Sequence, residues 1–470
     1  MASHNLLVFS DVHLGSDLVQ HARPGAPALG PAGKRRDREL VALMDWYRLR
    51  PRAGKPWRLV IAGDFIDFVG MSVSATEPGL CTLPNEEERQ HGLGSAVDHT
   101  IAKLERVAEQ HGLVFEALAR FIAEGNAVVI VRGNHDVDFH WPEVQSAFKD
   151  VIGRYDAAAA QQIEFSDWFY YEKDVIFVEH GHQYDDFCSY ENVLHPVHPS
   201  DPKRTLRSLS DVLLRYVVRP THGMSETGHD DASAIDYLRF GARLGAFGML
   251  RLGGRFVRAI GVLVRMWREH MSDATQWVRA EHERKMGMLA EAKALSLINL
   301  RALAKLQRPP MTRSLLRLLA GVMVDRVAVS AAALCLLVWV LFARWTPTLG
   351  IVLSTVGPGL VLAAVLWRRT RVAIDASQSL REQSARVARL FPAAFVVMGH
   401  THLPELRPSD DGASTYVNLG AWSEEDTPDG SAPALPASRT HLVVEHVDGK
   451  AVAALLSWDA EKGPQRFISS

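Results

Sequence analysis

Five short motifs along the chain combine carboxylate, imidazole and amide side chains at the spacing of metal ligands. Oxygen and imidazole donors of this kind suit Mn, Fe or Zn, and they do not suit Ca or a thiolate-bound metal. A single motif would be weak evidence, because Asp and His are common in turns, but five together predict one metal site. The motifs are Ser10-Asp11-Val12-His13, Gly63-Asp64-Phe65-Ile66-Asp67, Gly133-Asn134-His135-Asp136, His180-Gly181-His182 and Gly399-His400-Thr401-His402.

Each motif follows a short apolar run of strand length, rich in branched residues. In an open α/β sheet, loops from several strands converge at the carboxyl ends of the strands, which is where sites of this fold lie. We therefore expect the five motifs to meet in space. The runs are Leu6–Phe9, Leu59–Ala62, Val128–Val131, Val175–Glu179 and Phe395–Met398.

The segments between these strands indicate the fold class. Glu39–Arg48 and Val97–Ala123 carry apolar residues at helical spacing, and Thr440–Glu445 is typical of a late strand. Strands that alternate with helices predict a layered α/β domain. Two stretches rich in Pro and Gly, Arg23–Gly33 and Ser72–Gly94, predict surface loops.

The character of the sequence changes near residue 200 and changes back near residue 390. Residues 200–385 are rich in Arg, Leu and Ala and predict an almost entirely helical segment. We interpret this segment as an insertion into one catalytic domain, whose two parts are residues 1–199 and 386–470. A chain of 470 residues is too long for one ordinary compact domain, in agreement with such an insertion.

The ordered set DxH, GDxxD, GNHD, HGH and GHTH resembles the calcineurin-like metallophosphoesterase superfamily, over roughly residues 5–200 and 390–425. The resemblance implies a layered α/β sandwich and two divalent metal ions, with Mn expected first and Fe or Zn as alternatives. Within the superfamily, the chain is somewhat similar to UDP-2,3-diacylglucosamine diphosphatases, which share the SDxHL opening and a helical insertion that grips acyl chains. It departs from them in His135, where they typically have Arg, and in a longer insertion with a hydrophobic hairpin.

The resemblance also implies the metal ligands. A bridging carboxylate can hold two cations about 3.5–4 Å apart, and two such ions convert a shared water into hydroxide and clamp phosphate oxygens. Asp11, His13 and His402 would hold the first ion, Asn134, His180 and His400 would hold the second, and Asp64 would bridge the two.

Five further residues, four of them in the motifs, receive other roles. The resemblance makes His135 the general acid that protonates the leaving group, with Asp67 orienting it and raising its pKa. For His182 we expect a supporting or substrate-facing role, and a direct ligand is the alternative. Asp136 and Asn418 are expected to be structural hydrogen-bonding residues.

Two uncharged runs inside the insertion predict a membrane hairpin over residues 327–367. The first has 17 residues and the second has 23, and the break at Thr346–Gly350 is typical of a turn. Arginines flank both outer ends, so by the positive-inside rule both ends and the catalytic domain face the cytoplasm. A buried helix pair and a shallow re-entrant hairpin are the alternatives.

Residues 239–268 carry seven arginines and no acid, interleaved with apolar residues. This pattern favours contact with an anionic membrane surface, and an Arg-rich helix packed on the core is the alternative. We do not expect nucleic acid as a partner, because the segment is too apolar and the formal net charge is only -2. Three widely spaced cysteines exclude a disulfide framework or zinc knuckle, and the opening residues predict a strand and not a signal peptide.

We therefore expect a two-metal phosphoesterase that hydrolyses a phosphate ester or diphosphate bond by metal-activated hydroxide. A membrane lipid or lipid-linked substrate is expected, at the cytoplasmic face of the inner membrane. One alternative is a broad phosphomonoesterase or phosphodiesterase that acts on soluble substrates and is merely anchored to the membrane. A nuclease is a less favoured form of this alternative. Another is a non-catalytic membrane-bound binding module, against which the complete set of seven ligands argues. The oligomeric state is left open.

Overall fold

Runs rich in branched and aromatic residues form most strands of two mixed sheets, and two further strands form a small separate sheet. The computed structural model describes residues 4–18, 29–52, 54–221, 245–321, 375–409, 412–424 and 437–468. The strands within these residues are β1 Asn5–Phe9, β2 Trp57–Ala62, β3 Ala127–Val131, β4 Ile163–Ser166, β5 Phe169–Glu172, β6 Ile176–Glu179, β7 Val197–His198, β8 Asp201–Thr205, β9 Phe395–Met398, β10 Glu405–Pro408, β11 Thr415–Asn418, β12 Thr440–Val447, β13 Lys450–Asp459 and β14 Gly463–Arg466.

Helices cover the outer faces of the sheets and form most of the described part of the insertion. Within the described ranges, three short 3₁₀ turns lie at Val137–His140, His182–Tyr184 and Met311–Arg313, and one π-helical turn lies at Leu214–Val218. The α-helices are α1 Pro31–Arg48, α2 Glu86–His91, α3 Val97–Gln110, α4 Gly112–Ala123, α5 Pro142–Gly153, α6 Ala157–Ala160, α7 Leu209–Leu213, α8 Gly245–His270, α9 Thr275–Ala292, α10 Leu297–Leu306, α11 Leu315–Gly321 and α12 Ala376–Leu390.

The larger sheet has the strand order β14-β13-β12-β1-β2-β3-β4, and the smaller has the order β10-β11-β9-β6-β5. In the larger sheet β1 to β4 are parallel, with Leu7 opposite Leu59 and Val60 opposite Val129. In the smaller sheet β6, β9 and β11 are parallel. Both sheets therefore combine strands from the two ends of the chain, as an inserted segment requires, although the boundaries at residues 199 and 386 stay predictions.

The two sheets face each other across a core of alternate strand residues. Val8 and Val60 of the larger sheet pack with Val178 and Val397 of the smaller sheet. The opposite faces of the sheets are covered by helices: α1, α3, α4 and α5 pack on the larger sheet, and α9, α10 and α12 pack on the smaller. This four-layer arrangement confirms the predicted layered α/β sandwich.

Several predicted boundaries are wrong for identifiable reasons. The predicted helix Val97–Ala123 is two helices, because His111 leaves helical geometry and its buried ring pairs with Asp37 and Asp17. The predicted loop Ser72–Gly94 contains α2, whose first turn is closed by a reciprocal capping box between Asn85 and Glu88.

Two more predictions are wrong at their edges. The loop predicted up to Gly33 gives way at Pro31 to α1, which starts with proline at the first helical position, where the missing N–H has no cost. The helical character predicted from residue 200 begins only after β8, which pairs with β7.

The predicted membrane hairpin, residues 327–367, lies outside the described residues. Among the helices that are described, none combines the length and the apolar composition that crossing a bilayer demands. The described helices of the insertion form their own apolar cluster, in which Leu252, Ala259 and Leu263 of α8 pack against Val217 and Leu318.

Candidate metal centre

The five motifs lie in the loops that leave β1, β2, β3, β6 and β9. Three of these strands are neighbours in the larger sheet, and the other two are neighbours in the smaller sheet. Because the two sheets face each other, the carboxyl ends of all five parallel strands open onto one cleft.

One group of ligand atoms combines Asp11, His13 and His402, which all lie within 4.8 Å of one another. His402 Nε2 is 3.2 Å from Asp11 Oδ1, and His13 Nε2 is 3.9 Å from the same oxygen. Among the described residues nothing offers a hydrogen bond to the buried His13 Nε2. An orphaned imidazole nitrogen beside two other donors fits a metal ligand, because buried polar atoms otherwise find partners.

A second group combines Asp11, Asp64 and His180. His180 Nε2 is 3.1 Å from Asp64 Oδ2 and 3.0 Å from Asn134 Oδ1. The other ring nitrogen, Nδ1, is 2.9 Å from the Ala62 carbonyl oxygen and is assigned as its donor. That assignment leaves Nε2 with the lone pair that a metal needs.

Asp64 belongs to the second group and also lies close to the first. Its Oδ2 is 3.8 Å from His13 Nε2 on one side and 3.1 Å from His180 Nε2 on the other. Burial alone would raise the pKa of Asp64, but His180 and His135 hold it below its usual range. The side chain is therefore an ionised carboxylate placed where a bridging ligand belongs.

His400 is the one histidine among the predicted ligands that lies in neither group. Its Nε2 is 2.9 Å from Asp185 Oδ2, and its ring centre is 5.4 Å from that of His180. The hydrogen bond leaves Nδ1 as the ring nitrogen that can bind metal. Asp185 and the buried Cys188 form a further group with His400. Sequence analysis missed Asp185, since its partner is 215 residues away along the chain.

Backbone geometry singles out the same side chains. Among the described residues, nine that are not glycine have a positive φ, and five of these are predicted ligands. Such angles are uncommon outside glycine and are held in place at functional sites by the surrounding structure. The five are Asp11 (54°), His13 (51°), Asp64 (53°), His400 (71°) and His402 (59°).

Glycines in the motifs allow the loops to approach each other closely. A Cβ on Gly133 would overlap Asp64 Oδ1 and lie 2.7 Å from the Asp64 nitrogen. A Cβ on Gly399 would overlap Asp11 Oδ2. These contacts explain in physical terms why the GNHD and GHTH motifs begin with glycine.

His135 and Asp67 form a dyad beside the first group. His135 Nδ1 is 2.7 Å from Asp67 Oδ1, and the ring centre of His135 is 4.6 Å from that of His13. Burial lowers the pKa of His135, but the carboxylates of Asp67 and Asp64 outweigh burial and hold that pKa well above its usual value. With Nδ1 turned to Asp67, the opposite nitrogen can carry a proton toward a substrate.

Asp136 and Asn418 support the loops that carry the predicted ligands. Asp136 accepts hydrogen bonds from the backbone nitrogens of Gly133 (2.6 Å) and Phe65 (2.9 Å), and burial together with Asp64 raises its pKa to about 7. Asn418 donates to the Gly399 carbonyl oxygen at 2.9 Å.

His182 is buried, and its ring centre is 5.4 Å from that of His180. Its Nε2 is 2.8 Å from Gln183 Nε2, which can donate to it. Burial and the neighbouring His180 lower the pKa of His182 well below its usual value. The ring therefore lies beside the ligands in its neutral form.

The donor set as a whole fits two divalent cations. It consists of two buried carboxylates, one amide oxygen and four imidazoles, a mixture that suits Mn, Fe or Zn. The seven side chains come from positions between residue 11 and residue 402, and Asn134 and His400 both lie beside His180 of the second group.

Comparison with known proteins agrees with this geometry. No curated protein matches the chain at a significant level. The family model for calcineurin-like phosphoesterases matches residues 4–244, more than half of the 470 residues, and stops before the loop that carries His400 and His402. The chain therefore belongs to the calcineurin-like phosphoesterase family, whose members bind two divalent metal ions, and it is a metal-dependent phosphoester hydrolase.

Proposed function

We propose that the chain hydrolyses a phosphate ester or diphosphate bond in the cleft between the two sheets. The observation that carries this proposal is the convergence of two ligand groups and the His135–Asp67 dyad on one edge. Two divalent ions, when bound, lower the pKa of a water molecule and offset the charge on phosphate oxygens. Mn is our first choice, with Fe or Zn as alternatives.

The seven predicted ligands would be divided between the two ions. Asp64 is shared, because its Oδ2 lies between His13 and His180. His400 would ligate through Nδ1, since Asp185 holds its Nε2. Asp11, His13, Asp64 and His402 would hold one ion, and Asp64, Asn134, His180 and His400 would hold the other.

His135 would protonate the oxygen of the leaving group. Asp67 accepts from Nδ1, so the proton to be transferred is the one on Nε2. Positioned general acids of this kind contribute roughly 10²–10⁴-fold to rates. Since the same hydrogen bond stabilises the charged imidazolium, His135 starts the reaction with its proton in place.

We further propose that the substrate is a membrane lipid or a lipid-linked phosphate, reached at the cytoplasmic face of the inner membrane. Support comes from α8, where Phe247, Leu250 and Val257 are 81%, 74% and 70% exposed. Exposed arginines, among them Arg265 and Arg268, share this helix, which has no acid before Glu269. A basic helix with exposed apolar residues is typical of one that lies on an anionic bilayer.

The position of α8 in the chain adds support. It packs against α11, whose Leu316 is 81% exposed and which ends at Gly321. The uncharged run that predicts a hairpin begins only six residues later, at Val327. The exposed basic and apolar surface is thus close in sequence to the predicted membrane segment. Such an arrangement fits a chain in which both contact the same bilayer.

Hydrolysis by detergent-purified protein in Mn²⁺ tests the enzymatic proposal. Bis-p-nitrophenyl phosphate and a lipid diphosphate are compared, with Asp64→Ala as the inactive variant and the exposed Glu461→Ala as the control. We expect Asp64→Ala to lose both activities and the lipid diphosphate to be the faster substrate. A faster soluble ester would contradict the lipid proposal, and equal rates for Asp64→Ala and the unaltered protein would contradict the two-metal mechanism.

Vesicle binding by the full chain tests the surface of α8. Arg265→Glu with Arg268→Glu removes two basic charges, each worth about 1 kcal/mol near an anionic bilayer. We expect the preference for anionic over zwitterionic vesicles to fall by about 30-fold or more, since each 1.4 kcal/mol is tenfold. The matched control is Arg284→Glu with Arg301→Glu, exposed arginines on α9 and α10. An unchanged preference, or an equal fall in the control, would contradict the proposal.

A further inference from the structure

A π-helical turn at Leu214–Val218 packs against the loop that carries Asp67. The backbone nitrogen of Arg219 donates to the Leu214 carbonyl oxygen at 2.9 Å, five residues back, which is the π pattern. Leu214 and Val218 are buried against Val69, two residues beyond Asp67. π-turns are rare in proteins, and those that occur are often found at functional sites.

The residue that closes this turn is Arg219. It is 8% exposed, and it joins two of the motif loops. Its Nη1 donates to the Ser16 carbonyl oxygen at 2.6 Å, just beyond the DxH motif, and its Nη2 donates to Asp67 Oδ2 at 3.2 Å. Arg219 lies in the segment predicted to be the helical insertion, and the sequence predicts no role for it.

With Arg219 in place, both oxygens of Asp67 are engaged. Oδ1 faces His135 Nδ1 at 2.7 Å and accepts from the Gly70 nitrogen at 2.6 Å, while Oδ2 accepts from Arg219. The space between these groups is filled, because a Cβ on Gly70 would lie 2.5 Å from Arg219 Nη2 and overlap Asp67 Oδ2. The carboxylate is thus held in one orientation.

We propose that Arg219 is a positioning residue for the general acid: it fixes Asp67, and through Asp67 it keeps the ring of His135 turned toward the leaving group. This inference rests on the proposed function. Without the guanidinium, the carboxylate loses the partner of Oδ2 and can rotate away from His135. A charge-assisted hydrogen bond to a buried carboxylate is among the stronger contacts available for such a task.

A general acid matters only where the leaving group needs a proton, and this gives the inference a specific test. A p-nitrophenolate leaves readily without protonation, whereas an alkoxide does not. We expect Arg219→Gln to lower kcat less than about threefold on p-nitrophenyl esters and about tenfold or more on alkyl esters, a part of the roughly 10²–10⁴-fold that a general acid contributes. Arg219→Lys, which keeps the charge, should lose less.

Three controls keep the test independent of general damage. Arg106→Gln removes an arginine of similar burial, paired with Glu77 at 2.7 Å, and should leave the ratio of the two ester rates unchanged. Bound metal per chain should be the same in all variants. In a His135→Ala background, Arg219→Gln should cause no further loss on alkyl esters, because the two residues act as one unit.

The outcomes separate this inference from the proposed function. Equal losses on both ester types, or a further full loss in the His135→Ala background, would overturn the role of Arg219 while leaving the hydrolase intact. If Arg219→Gln does not fold, the same ratio is read from Arg219→Lys. An unaltered protein that hydrolyses neither ester in Mn²⁺ would overturn the proposed function, and the inference with it.

Discussion

Replacing Asp185 with Ala should weaken one metal site and spare the other. Asp185 is buried, and its Oδ2 is 2.9 Å from His400 Nε2, while its Oδ1 accepts from the Phe187 nitrogen. A neutral imidazole carries one proton. A partner that accepts a hydrogen bond from Nε2 keeps the proton there and leaves the lone pair of His400 on Nδ1. Without Asp185 the proton can move to Nδ1 and block that ligand.

The size of the effect follows from what such supporting hydrogen bonds contribute at metal sites. Their loss typically reduces metal affinity 10–100-fold, which corresponds to about 1.4–2.8 kcal/mol. Asp185→Asn should lose less, because the amide oxygen can still accept from Nε2. Asp186→Ala is the matched control, since it removes the neighbouring carboxylate, which pairs with Arg317 and not with a predicted ligand.

Calorimetric titration of the metal-free protein with Mn²⁺ measures this directly. We expect two binding steps in the unaltered protein, and in Asp185→Ala one step weakened 10–100-fold with the other unchanged. Two unchanged steps in Asp185→Ala would refute the role given to this hydrogen bond, as would equal weakening in Asp186→Ala.

Three further predictions concern the same molecule. Removal of metal by a chelator should abolish hydrolysis and lower the unfolding temperature, with recovery on adding Mn²⁺, because an ion at 100 times its Kd stabilises the folded state by about 2.7 kcal/mol. Gly133→Ala should reduce both bound metal and activity, because the new Cβ would overlap Asp64 Oδ1. We expect a loss of at least about tenfold, the lower end of the losses that follow when the support of a metal ligand is changed. Normal metal content would contradict this prediction. For Glu88, burial would raise the pKa, but His99, Arg204 and the Asn85 nitrogen hold it well below the usual 4.5. Because the pKa of Glu88 is lower in the folded chain than in the unfolded chain, its ionised side chain stabilises the fold above about pH 4.5, and this stabilisation is lost as the pH falls further. The free energy of unfolding, measured by denaturant titration, should therefore fall less steeply with acid in Glu88→Gln than in the unaltered protein.

Local patterns in the sequence were sufficient to predict the elements that position the site. The run Phe395–Met398 has the same bounds as β9, and the other four motif strands differ by a residue or two. The reason is physical: buried parallel strands are continuous apolar runs, and the polar residues that follow them must lie at the sheet edge.

Features that depend on distant contacts could not be predicted in this way. The apolar spacing continues through His111, and the helix breaks there because Asp37 and Asp17 hold the ring. Asp185 and Arg219 carry no local signal, since their partners lie 215 and 152 residues away. The capping box of α2, by contrast, had a local signature in Asn85 and Glu88 that went unused within a loop-like composition.

Counting metal ions per chain tests the central claim most directly. Protein loaded with Mn²⁺ and freed of excess metal is analysed by elemental mass spectrometry alongside hydrolysis of bis-p-nitrophenyl phosphate. We predict two ions per chain in the unaltered protein. Asp64→Ala should bind fewer than two ions and lose activity, and His402→Ala should lose about one ion. Full hydrolysis by the unaltered protein with one ion or none, or two ions and full activity in Asp64→Ala, would contradict the central claim.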